Sequence, residues 1–202
     1  IRALAQQLDP ALPSVLPAHL SVSGATWGSE RGVMIGRDAV ILRSALADPA
    51  WDYVALGHIH KHQSLNGDAY PPVVYAGSLE RIDFGEEGQP KGFCWVELAR
   101  GETTWRFVEV NARRFVTVEA DLREAEEPLA ALREIVSAHD LQDAVVRAVL
   151  RLRAGQEQLV RDHEVRALLT GAAFIGGISR EVEREARVRL GNLSPEEMTP
   201  PQ

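Results

Sequence analysis

The sequence is poor in several residues that build common kinds of site. Its single cysteine, Cys94, excludes an internal disulfide framework and a cysteine-based zinc finger, and fits a reducing compartment. No apolar run approaches the roughly 18 residues that suggest a membrane span, so the protein is expected to need no membrane and to lie in the cytoplasm. Lysine is nearly absent: Lys61 and Lys91 are the only two, and arginine supplies the remaining positive charge. A formal net charge of −7 argues against coating nucleic acid by bulk electrostatics, while a local patch or a metal can still grip phosphate. Ile1 is followed by no leader pattern, and the sequence reads as a chain entered midway.

What is present is a foldable chain of 202 residues with 45% hydrophobic content, enough for a real core. Residues 2–8 carry a helical pattern that Pro10 and Pro13 end. Residues 15–22 read as a short buried strand containing His19, and residues 25–48 as a loop-rich stretch with Gly28, Gly32 and Gly36 and a brief strand at 39–42. Residues 51–57, 73–76, 93–98 and 103–110 read as strands, the last two in hairpin fashion. The pattern resets near residues 111–114. Beyond it, strands at 115–119, 144–152 and 178–183 alternate with helices at about 128–139 and 161–169. That alternation describes a small α/β unit, with Pro128 in the first turn of its first helix and Leu129, Leu132 and Val136 on one face. A Pro-rich tail, 191–202, reads as poorly ordered.

The chemistry concentrates at Gly57-His58-Ile59-His60, where an apolar strand runs out. Two imidazoles two residues apart share a strand face, but many histidines are simply partly buried polar groups. His19 and the His58/His60 pair lie on two predicted strands that, if adjacent and parallel, bring all three rings to their carboxyl ends, the edge where open α/β sheets bind ligands. Borderline or hard metals such as Mn²⁺, Fe²⁺ and Zn²⁺ accept imidazole, and with carboxylates or water they form two-metal centres that hydrolyse phosphate esters. A cupin-like site is disfavoured because Gln63 and Ser64 stand where a glutamate is wanted. Ser78 lies outside any G-x-S-x-G elbow, which disfavours a serine hydrolase. His62 reads as a loop residue that is either solvated or able to hold phosphate or shuttle a proton, and His139 and His163 read as surface residues.

Three blocks carry a resemblance: Ala18-His19-Leu20-Ser21, then Asp52-Tyr53-Val54-Ala55-Leu56-Gly57-His58-Ile59-His60, then Tyr75-Ala76-Gly77-Ser78-Leu79-Glu80-Arg81-Ile82-Asp83-Phe84-Gly85-Glu86. Together they closely resemble the nuclease subunits of bacterial SbcCD exonucleases, calcineurin-like metallophosphoesterases related to the nuclease of the MRN break-repair complex. The resemblance implies an α/β (α+β) chain: residues 1–112 as the carboxyl-terminal part of a metallophosphoesterase β-sandwich and residues 113–202 as a small α/β capping domain. It implies a Mn²⁺-dependent DNA nuclease, a double-strand exonuclease and single-strand or hairpin endonuclease. Such an enzyme works with an ABC-type ATPase subunit in double-strand-break repair, recombination and replication, as a homodimer in the complete protein.

By the same resemblance His19 and His58 bind one of two Mn²⁺ ions, with Mg²⁺ or another divalent ion as an alternative, and His60 binds the other. His62 and Arg81 lie near the substrate. Loop 77–86 shapes the site with no individual role assigned. The family's upstream D-x-H, G-D-x-x-D and G-N-H-[DE] motifs, which supply aspartates, an asparagine and the catalytic histidine, do not occur in this chain. Two divalent ions about 4 Å apart repel, and neutral imidazoles cannot offset that. The chain alone is therefore expected to be inactive.

A second reading is a non-catalytic module that docks DNA or the ATPase. Arg147, Arg151 and Arg153 alternate along one strand face, where they either meet phosphates or form a salt-bridged solvent face. Arg180, Arg184 and Arg187, interleaved with Glu181, Glu183 and Glu185, read as solvated charge.

Overall fold

The computed structural model describes residues 1–28 and 39–183. Gly32, Gly36, Arg184, Arg187 and the tail 191–202 lie outside the described residues. Helices and strands mix in several small sheets, an α/β fold. The order begins with helix α1 (Arg2–Ala5), strands β1 (Val15–His19), β2 (Ser21–Val22), β3 (Val40–Ile41) and β4 (Tyr53–Gly57). It continues with β5 (Gln63–Ser64), β6 (Val73–Tyr75), β7 (Gly92–Glu97) and β8 (Thr104–Glu109).

The first sheet has the order β1-β4-β6-β5, with β1, β4 and β6 parallel and β5 antiparallel to β6. As a central parallel strand, β4 is apolar on both faces. Leu16, Val54, Leu56, Val73 and Tyr75 share one face and pack with Leu46, Trp51 and Ile59. Tyr53 and Val74 are buried on the other face, towards the β7–β8 hairpin, but Val15, Phe93 and Leu98 along that groove stay exposed. The strand expected over 15–22 is broken at Leu20, whose carbonyl accepts a 2.7 Å bond from the Tyr75 hydroxyl; β2 then pairs with β3 in a separate sheet.

Asp52 fastens the hairpin turn to this sheet. Its buried carboxylate accepts from Ser14 N (2.8 Å), Gly101 N (2.8 Å), the Arg100 guanidinium (3.0 Å) and the Tyr70 hydroxyl. Burial pushes the carboxyl up, and these bonds more than offset it, holding the group at about 2.

The second unit is β9 (Phe115–Asp121), α2 (Pro128–Ser137), β10 (Val145–Arg153), α3 (Asp162–Leu168) and β11 (Phe174–Glu183). Its parallel sheet has the order β11-β10-β9. Strict alternation along β10 turns Val146, Ala148, Leu150 and Leu152 towards Leu132, Val136, Val165 and Leu169 of the helical layer. Arg147, Val149, Arg151 and Arg153 take the opposite face, as their spacing requires. No helix among the described residues is long and apolar enough to cross a membrane.

Candidate metal centre

The parallel pairing of β1 with β4 sets His19 opposite Gly57, one residue before His58. The two rings meet edge to face at 5.1 Å between centroids, and Trp27 lies 5.7 Å from His58 on another side. Gly57 leaves room for this approach, because a Cβ there would come within 3.1 Å of His19 Nδ1. His19, expected within a buried strand, sits at an exposed strand end instead. His58 holds φ at +104°, a conformation that costs a non-glycine residue on the order of 1–3 kcal/mol. Ile59, 1% exposed, anchors the segment in the core between the two histidines.

His60 is held by a different device. Its Nδ1 lies 2.8 Å from Glu86 Oε1, and Glu86 Oε2 lies 2.8 Å from Lys91 Nζ. The Glu86 and Lys91 side chains are both fully buried. Lys91 also donates to Ser78 Oγ (2.9 Å) and the His60 carbonyl (3.3 Å), while Ile82 N donates to Glu86 Oε2 (3.2 Å). Burial pushes the Glu86 carboxyl up, and the bonds from Lys91, His60 and Ile82 outweigh it, so the group sits below the usual carboxylate range. His60 Nδ1 thus faces the one Glu86 oxygen that Lys91 and Ile82 N leave open.

The loop expected to shape the site contains a 3₁₀ turn, Phe84–Glu86. Gly77 starts it at φ +84°, with its α-carbon so close that a Cβ would lie 2.9 Å from both the His60 carbonyl and the His62 amide nitrogen. Sequence reasoning gave Glu86 and Lys91 no individual role. The signal was Lys91, one of only two lysines in an arginine-rich chain, five residues after a glutamate in the resembling block.

The remaining candidates are engaged elsewhere. His62 lies just before β5, donates to the Tyr75 carbonyl at 2.9 Å and stacks on Phe107 at 4.0 Å. Arg81 donates to the carbonyls of Glu86, Gln89, Ala112 and Arg113, bracing the turn against the linker between units. Arg147 donates to Thr117 Oγ1 and lies over the Phe84 ring. Arg151 pairs with Glu119 (3.3 Å) and Glu181 (3.1 Å), and Arg153 with Glu124. The arginine face is thus laced with carboxylates. His163 is exposed; His139 is half-buried and donates to the Ile135 carbonyl.

Imidazole nitrogens can ligate Mn²⁺, but that hard ion prefers oxygen donors. The set falls short in number and charge: among the described residues no group of three or more histidine, cysteine, aspartate or glutamate side chains is disposed to hold a metal ion. Both Glu86 oxygens are already engaged, Oε1 with His60 and Oε2 with Lys91 and Ile82 N. These residues alone do not fit a two-metal centre. No protein-family model matches the chain.

Proposed function

We propose that the chain is part of a Mn²⁺-dependent DNA nuclease of the SbcCD nuclease-subunit type. Residues 1–112 then belong to a calcineurin-like metallophosphoesterase domain and residues 113–202 to a cap. The observation that carries this reading is the β1/β4 register, which sets His19 and His58 side by side at a strand edge, with backbone strain at His58. Strain of this kind concentrates at functional sites. His19 and His58 would serve one ion and His60 the other. Bound Mn²⁺ would polarise the phosphodiester and supply a water nucleophile near neutral pH.

This chain's own part is to present imidazoles in fixed orientations. The carboxylates that would offset the charge of two ions come from elsewhere, and these residues alone carry no catalytic step. The proposed setting is cytoplasmic, with DNA as substrate, an ABC-type ATPase as partner and a homodimer of the complete protein. The docking-module alternative draws support from the separate core of the second unit, and its compensated arginine face counts against it.

The test is cleavage of linear duplex DNA with Mn²⁺. The 202-residue chain should be inactive. The same chain fused behind a segment carrying D-x-H, G-D-x-x-D and G-N-H-[DE] motifs should cleave, and His58→Ala in that fusion should abolish cleavage. Strong cleavage by the chain alone, or an active H58A fusion, overturns the reading.

A further inference from the structure

We infer that Glu86 is a positioning residue that fixes the His60 imidazole in its Nδ1–H form, and that Lys91 fixes Glu86. The geometry divides the carboxylate. Oε1 faces His60 Nδ1 at 2.8 Å, while Oε2 faces Lys91 Nζ at 2.8 Å and Ile82 N at 3.2 Å. Lys91 and Ile82 N can only donate, so one end of the Glu86 side chain must be an acceptor whatever faces His60. With both Glu86 oxygens accepting, the His60 proton belongs on Nδ1 and the lone pair on Nε2. Such a carboxylate-to-histidine contact sets which ring nitrogen is available to a metal.

The burial shows that this is more than a surface ion pair. Glu86 and Lys91 side chains are wholly inaccessible, and Lys91 reaches the His60 carbonyl as well, so ring and backbone of His60 are fixed from the same cluster. Burying such a pair without catalytic or orienting use gives little net stability over apolar residues of similar volume. For its consequence, though not for its measurement, the inference rests on reading His60 as a metal ligand.

The division of the carboxylate makes a specific prediction for Glu86→Gln. An amide has one oxygen and one NH₂. Lys91 and Ile82 require the oxygen, so the NH₂ turns towards His60, whose Nδ1 must then accept, and the ring proton moves to Nε2. A merely space-filling Glu86 would leave the tautomer unchanged.

The experiment is a long-range proton–nitrogen correlation spectrum of the imidazoles in the full chain, without metal, at a pH where the rings are neutral. Wild type should show His60 predominantly as Nδ1–H and E86Q predominantly as Nε2–H. A wild-type ring that is Nε2–H, or freely averaged, overturns the inference even if E86Q does not fold; an unchanged tautomer in folded E86Q overturns it too. Adding Mn²⁺ to the fusion that carries the upstream motifs then tests the metal reading separately. Ring signals of His19, His58 and His60 should broaden ahead of those of His139 and His163, and E86Q should weaken the effect at His60 on the order of 10-fold or more. Equal broadening at all five rings, with His60 still Nδ1–H, overturns the metal reading and leaves the positioning role intact.

Discussion

In residues 115–183, three parallel strands turn their apolar side to two helices and seal a core in which Leu150 and Leu152 are fully buried. In residues 15–109 the first sheet seals one face, while along its second face Val15, Phe93 and Leu98 remain 39–40% exposed. The contents differ in the same way. The sealed unit carries its charge as paired side chains on an outer face, whereas the half-covered one holds a strained His58, exposed His19 and a buried Glu86–Lys91 pair. The second unit has irregularities of its own, Asp143 at φ +57° and a register shift at Val146/Arg147, but the first gathers its irregular features around histidines, and such features are the ones that sequence rules predict least and function uses most.

The largest effect should come from attacking the sealed core. Leu150→Ala removes buried methyl groups where helices and sheet leave little room to collapse, and should cost about 2–5 kcal/mol. Val15→Ala on the half-covered face should stay within about 0.5 kcal/mol. Urea unfolding of both variants measures the contrast; equal losses would erase it.

Next in size is Asp52, the clasp of the first unit. Its carboxyl lies at about 2 in the folded chain against an ordinary 3.8, which corresponds to roughly 2 kcal/mol of stability. Because the folded value is depressed, that contribution is complete above the unfolded value and is lost as pH falls from about 4 through 2. Asp52→Asn should therefore be most destabilising near neutral pH, with the gap to wild type closing in acid. Denaturant midpoints between pH 7 and 2 check it; a constant gap would mean that Asp52 acts without its charge.

The units meet through the 84–86 turn, and adjacent residues face opposite ways. Glu86 holds His60, while Glu87 accepts from Thr117 N (2.9 Å) and Thr117 Oγ1 (2.6 Å) on β9. Phe84 meets Phe115 and lies under Arg147, and Gly176 leaves space for it. Glu87→Ala and Thr117→Val should show a coupling of roughly 0.5–1.5 kcal/mol in a double-mutant cycle. Additive losses would mean the hydroxyl contact carries nothing between the units.

Much of the second unit was legible because alternating strand and helix patterns state both period and facing: the β10 alternation alone assigns its core and its arginine face. In the first unit the same rules found β4 and the hairpin and suggested the parallel neighbours that bring His19 to His58. They did not find the break at Leu20, which follows from a hydroxyl 55 residues away, on Tyr75. Strand β5 was missed because Gln63 and Ser64 are too few for a period. The role of Glu86 escaped because it depends on Lys91 and His60 converging across a turn, and a single sequence records no such convergence.

The smallest effect tests whether the arginine face is an interface at all. Arg151 lies between Glu119 and Glu181 on an exposed surface, where such pairs contribute about 0–1 kcal/mol, and Arg153 is paired with Glu124. Arg151→Ala should therefore barely move stability. If this face met DNA, each guanidinium that neutralises a phosphate would add about one unit to the salt dependence of binding. The carboxylates around these arginines already supply that neutralisation. Charge reversal at Arg151 and Arg153 together should then leave the slope of log affinity against log salt changed by less than one unit. A loss near two units would show that the pairs open to receive phosphates, and would favour the proposed docking role of the second unit.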